Sequence, residues 1–158
     1  MNKTQAMRQL DQFQIRYEVR TYPIDPSNLE ATHVAELIGL DPFLVYKTLV
    51  VQGDSHAYYL ALIPGPELLD LKRLARVAQE KSVSLVPVDR LEAITGYVRG
   101  GVSPFATKKR LPIYIKEGVE DLPLVSVSAG KRGMQILLAG TDLIRASQAV
   151  TAPIARQD

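Results

Sequence analysis

Lys47 stands at the mouth of an almost wholly apolar run, Val45-Tyr46-Lys47-Thr48-Leu49-Val50-Val51. A lysine in that position either snorkels to water or points into a pocket. In a pocket it can form a Schiff base, act as a base with a depressed pKa, or hold a phosphate as a point charge. A second stretch, Ala93 to Lys116, contains no acidic residue but five basic ones: Arg99, Lys108, Lys109, Arg110 and Lys116. The pair Gly100-Gly101 lies inside it. A third segment, Ser128-Ala129-Gly130-Lys131-Arg132-Gly133, sets two more cations among small residues and also lacks an acid. Loops that expose backbone N–H groups and carry only positive charge suit a polyanion or a phosphoester.

Several chemistries are disfavoured by what is missing. Gly130-Lys131 fails as a phosphate loop of ATPases, because Val125 and Arg132 occupy the places that need glycine and a hydroxyl residue. Ser128 has no Gly-x-Ser-x-Gly elbow around it, and only His33 and His56 exist to serve it as a base. The chain has no cysteine, which removes disulfides, zinc–thiolate sites and thiol nucleophiles. Its two histidines are not in ligand-like spacing and cannot build a metal site without carboxylate help, so no metal is expected. Met1 to Leu10 is too polar for a secretory signal, and no segment approaches the roughly 20 apolar residues that span a bilayer. The expected location is the cytoplasm, without a membrane partner.

The net charge of +2 on 158 residues hides an asymmetry. Residues 93–158 carry nine Lys and Arg against five Asp and Glu, whereas residues 1–92 carry ten against twelve. A basic half on a nearly neutral protein favours a local, salt-dependent contact with nucleic acid.

The elements that must position these groups are legible in outline. Periodicity predicts helices over 3–13, after a cap at Ser27 or Asn28, over 68–78, over 89–95, and over 142–150 behind a Thr141 cap. In the second helix Val34, Leu37 and Ile38 should face inward, with Gly39 as the stop. In the third, Leu68, Leu71, Leu74, Ala75 and Ala78 form one stripe. Asp41-Pro42 reads as a cap and first-turn proline. Strands are expected around Tyr17–Thr21, 82–86 and 112–115, with hairpins from 46–51 with 57–63 and from 124–128 with 134–139. Residues 1–158 should form a single domain of class α+β. Its sheet would be mixed, mostly antiparallel and barrel-like, with flanking helices.

Four segments in this order and spacing carry a family resemblance: Val45-Tyr46-Lys47-Thr48-Leu49; Gly96-Tyr97-Val98-Arg99-Gly100-Gly101-Val102-Ser103-Pro104; Lys108-Lys109-Arg110-Leu111-Pro112; and Val127 to Gly133. From about Tyr17 to Leu143 the chain resembles the YbaK/EbsC family of aminoacyl-tRNA deacylases, relatives of the editing domain of prolyl-tRNA synthetase. The resemblance implies a free-standing editing hydrolase acting on mischarged tRNA, above all Cys-tRNA(Pro), with prolyl-tRNA synthetase as a further partner and with no metal or organic cofactor. It implies a site built from Tyr22, Lys47, Thr48, Gly100, Gly101, Ser128, Ala129 and Gly130, with Lys108, Lys109, Arg110, Lys131 and Arg132 against the tRNA backbone. In the implied mechanism the substrate's own thiol attacks the ester while Lys47 holds the terminal phosphate, and Gly101 with neighbouring backbone N–H groups positions or polarises the carbonyl. Tyr22 would stack on or hydrogen-bond the adenosine. Gln135 stands where some members have aspartate, and Ala129 where glycine is common. An alanine- or serine-specific relative, with a bound water as nucleophile, therefore remains an alternative, as does a non-catalytic module that binds tRNA or a nucleotide.

Overall fold

Thr4 opens the first helix, its hydroxyl accepting the Met7 N–H at 3.2 Å. The computed structural model describes residues 2–157. In chain order these form α1 (Gln5–Gln12), β1 (Glu18–Thr21), α2 (Ala31–Ile38), β2 (Tyr46–Gly53), β3 (Tyr58–Pro64), β4 (Leu68–Leu69), α3 (Leu71–Ala78), β5 (Val83–Leu85), α4 (Leu91–Thr95), β6 (Ile113–Lys116), β7 (Val125–Ser128), β8 (Met134–Leu138), α5 (Gly140–Ser147), β9 (Val150–Ala152) and β10 (Ala155–Arg156). Both expected hairpins form, β2 with β3 and β7 with β8. The larger sheet runs β5-β2-β3-β6-β9, antiparallel at β5-β2-β3 and parallel at β3-β6-β9. A three-stranded sheet, β1-β8-β7, stands beside it. A parallel bridge from Val45 to Ser126 stitches the two together without closing them into a barrel.

Alternation along β3 divides the core. Leu60 and Leu62 enter the main cluster with Phe105, Ile115 and Ile136, while Ala61 and Ile63 enter a second cluster with Val51, Leu74 and Ile154. Successive strand residues point to opposite faces, so a strand buried on both faces is apolar throughout. That explains the unbroken run after Lys47.

Five local expectations are corrected. Asp25 accepts both the Ser27 N–H (3.0 Å) and the Ser27 hydroxyl (2.6 Å), which draws Ser27 into a turn. Glu30 then precedes α2 without a side-chain cap. Leu37 is 40% exposed, and Ala35 takes the inward place beside Val34 and Ile38. Leu68 lies outside α3, because Leu68-Leu69 pairs with β10 and Asp70 caps the helix by accepting the Arg73 N–H at 3.0 Å, while Leu71 opens the helix on its exposed side. Thr141 does not cap α5: the helix starts at Gly140, whose N–H donates to Leu122 O at 2.9 Å. The helix stops at Ser147, so Val150 is free to open β9.

Candidate functional site

The two acid-free loops meet. Arg132 Nε donates to Arg99 O at 2.7 Å. Gly101 lies so close to the Lys131–Arg132 backbone that a Cβ on it would sit 3.1 Å from three of its atoms. The Tyr97 ring lies under Gly130, and its hydroxyl donates to Phe105 O at 2.6 Å. Burial raises the Tyr97 pKa, which keeps that donor protonated. Tyr97 therefore pins one loop while supporting the other.

Between these loops, the β2 strand and α2 lies a cavity of about 460 Å3, a size that accepts a nucleoside-scale ligand. Lys47, Thr48, Gly100 and Ser128 all line it, as do Arg99 and Gln135. Its remaining wall is mostly aliphatic, including Val45, Val50, Val86 and Val102. Leu85 and Val88, 52% and 56% exposed, form an apolar lip. Lys47 is half-buried, and its ammonium donates to Gly65 O at 3.0 Å. Burial lowers its pKa, and the charges of Glu30 and Glu67 partly restore it. Thr48 Oγ1 is buried with no hydrogen-bond partner among the described residues. Gln135 is held on the floor, its Oε1 accepting the Ser126 hydroxyl at 2.7 Å.

Other implied site residues lie elsewhere. Tyr22 lines a separate small depression with Arg132 and His33, sharing Leu29, Val34 and Gly100 with the cavity wall. Gly101 is buried behind the cavity, and its N–H donates to Val98 O at 2.9 Å. That amide is thus already occupied, against the expectation that it polarises a carbonyl. Gly100 and Val102 line the cavity instead, and their amides carry no intramolecular hydrogen bond among the described residues. Ala129 is wholly buried, with its N–H on Met134 O at 3.1 Å. The Gly130 N–H donates to the Ser128 hydroxyl oxygen at 3.2 Å. Lys108, Lys109 and Lys131 are exposed, and Arg110 borders a different cleft beside α1 and α5.

Neither histidine lines the cavity, so Ser128 has no imidazole base there. Among the described residues no cluster of His, Asp and Glu could hold a metal ion, and no helix is long and apolar enough to cross a membrane. Sequence reasoning missed Glu30. It carries no motif and becomes a cavity residue only because the turn at Asp25 sets the start of α2.

These elements define an α+β domain whose cavity opens between β2, α2 and the glycine-pair loop. Residues 25–146 match the model of the aminoacyl-tRNA editing domain, and the chain belongs to that family. It is 42% identical over 137 residues to an Enterococcus faecalis protein, EbsC, covering 87% of this chain and 84% of that one. EbsC bears the provisional name Cys-tRNA(Pro)/Cys-tRNA(Cys) deacylase. Two solved structures share the fold. The hypothetical protein APE2540 aligns with a TM-score of 0.88 at 20% identity, over 97% of this chain and 100% of its own. A protein provisionally described as a trans-editing enzyme for prolyl-tRNA synthetase aligns at 0.82 and 23% identity, over 96% and 92%.

Proposed function

We propose that this protein hydrolyses the ester of mischarged tRNA, with Cys-tRNA(Pro) as the leading substrate. The observation that carries the reading is the half-buried ammonium of Lys47 inside a mostly aliphatic cavity flanked by two acid-free loops. The family membership and the name of EbsC support the choice of ester and amino acid.

The terminal adenosine enters over the apolar lip of Leu85 and Val88, and Lys47 holds its phosphate as a point charge. Gly100 and Val102, with free amides at the wall, replace Gly101 as the groups that meet the ester carbonyl. The cysteine thiol attacks its own carbonyl carbon, forming a C–S bond and a thiolactone. The C–O bond to the ribose breaks, and the thiol proton passes to the departing tRNA hydroxyl. No protein nucleophile is required, which fits a chain without cysteine and a Ser128 without an imidazole neighbour. Enforced proximity is the main source of rate in such a step. Lys131 and Arg132 lie beside the cavity and meet the adjoining tRNA backbone, while Lys108, Lys109 and Arg110 lie along a second track of it. Prolyl-tRNA synthetase is the proposed partner that delivers the substrate.

The deciding experiment incubates the purified protein with Cys-, Ala- and Ser-charged tRNA(Pro) and follows ester half-lives. A shortened half-life for the cysteinyl ester is expected. Loss of only the alanyl or seryl ester would move the nucleophile to a bound water. Unchanged half-lives for all three, with tRNA still retarded in a gel, would leave a binding module instead.

A further inference from the structure

Glu67 is the one buried carboxylate among the described residues, 3% exposed, and it does not line the cavity. It accepts Lys116 Nζ at 2.8 Å and Gln157 Nε2 at 3.2 Å. A buried ion pair is costly to desolvate and a weak source of stability, since apolar replacements often serve as well. Its location indicates a different use. Glu67 closes the turn Pro64-Gly65-Pro66-Glu67 by donating its N–H to Pro64 O at 3.0 Å. The same turn presents Gly65 O to the Lys47 ammonium, and the Gly65 N–H donates to Val45 O at 2.9 Å. The turn is seated tightly: a Cβ on Gly65 would lie 2.9 Å from the Ala31 Cβ at the start of α2.

We propose that Glu67 is a positioning residue for Lys47, anchoring the turn whose carbonyl holds the ammonium and lending it a buried negative charge. The inference rests on Lys47 acting in the cavity as described above. The charged groups around that ammonium are Glu30 from the segment before α2, Arg99 from the glycine loop, and Glu67 from the turn. Glu30 favours the ammonium more than Glu67 does but is exposed to screening water, whereas Glu67, paired with Lys116, acts from within the protein. The adjacent Tyr46 phenol senses the same anion: burial, then Glu67, push its pKa up to about 12. Lys116 holds the carboxylate from β6, and Gln157 holds it from the segment after β10.

The test follows the Lys47 Cε resonance through a pH titration of the full chain labelled with 13C-lysine, assigned by its absence in Lys47→Arg. In Glu67→Gln, which keeps the side-chain shape, the Lys47 midpoint should fall by roughly 0.5–1 pH unit, a three- to tenfold loss of proton affinity. A lower melting temperature with an unmoved midpoint would make Glu67 merely structural and overturn the proposal. If Glu67→Gln does not fold, Lys116→Met carries the test with opposite sign. Freed of its cation, the carboxylate should raise the midpoint, and no rise overturns the proposal. The alkaline limb of kcat/KM on Cys-tRNA(Pro) should move with the midpoint in Glu67→Gln. A midpoint that shifts in a protein inert toward every charged tRNA would sink the deacylase reading and leave this one standing.

Discussion

An amine set into an aliphatic wall is expensive to bury, and Lys47 shows the cost as a lowered pKa. Lys47→Ala should cut deacylation by on the order of 10²-fold or more, with the melting temperature nearly unchanged because only one hydrogen bond is lost. Circular dichroism alongside the deacylation assay checks both parts. The sign of the pH effect follows from the depressed pKa. The cation persists below its folded pKa and is lost as pH rises through it, so kcat/KM should decline before the 10.5 of an ordinary lysine. For folding, the unfolded chain binds the proton more tightly, so this group adds stability as pH climbs toward 10.5. Ser128→Ala should keep activity within about tenfold, since no base activates the hydroxyl; a loss of about 10³-fold or more would restore it as a nucleophile. Lys47 was legible in the sequence because a lone cation interrupts an apolar run. Glu30 and Glu67 were not, because their meaning comes from which distant atoms the fold sets beside them.

Secondary elements were legible where the signal is local. Both hairpins declared themselves through apolar runs and glycine turns. The pairs β4–β10 and β6–β9 stayed hidden, being two- and three-residue contacts between distant parts of the chain. The same hidden pairing explains why Leu68 looked helical. Two changes probe how elements are seated. A Cβ on Gly140 would lie 1.8 Å from Val119 O, so Gly140→Ala should cost about 3 kcal/mol through overpacking at the start of α5, read from urea unfolding. Glu80 ties the β2–β3 turn by accepting the Ser55 hydroxyl and the Tyr59 hydroxyl, each at 2.6 Å. Those hydrogen bonds hold its carboxyl below the usual 4.5. Their stability is present above pH 4.5 and fades as pH falls through the folded pKa. The melting temperatures of Glu80→Gln and the parent should therefore differ at pH 7 and converge on acidification.

Across the whole molecule, the β2–β3 pair separates two apolar compartments, and only one of them backs the two basic loops. Phe105 is fully buried in the first, within the stretch that carries Gly100 and Gly101, and Leu74 is fully buried in the second under α3. Phe105→Ala should lose about 3–5 kcal/mol and Leu74→Ala about 2–5. Only the former should raise KM for charged tRNA; equal KM changes would mean that the compartments are coupled. Charge asymmetry was readable from the linear chain, and the meeting of its two basic loops was not, since residues 99 and 132 join only through tertiary packing. The Glu67 anchor carries a consequence for biosynthesis. Its two partners lie 49 and 90 residues further along the chain. A ribosome therefore releases Lys47 and its turn long before Lys116 and Gln157 exist to fasten them. Until residue 157 clears the exit tunnel, the nascent protein carries Lys47 on β2 beside a turn that is not yet fastened, and with Lys47 and Glu67 in their proposed roles editing should begin only after that residue has emerged.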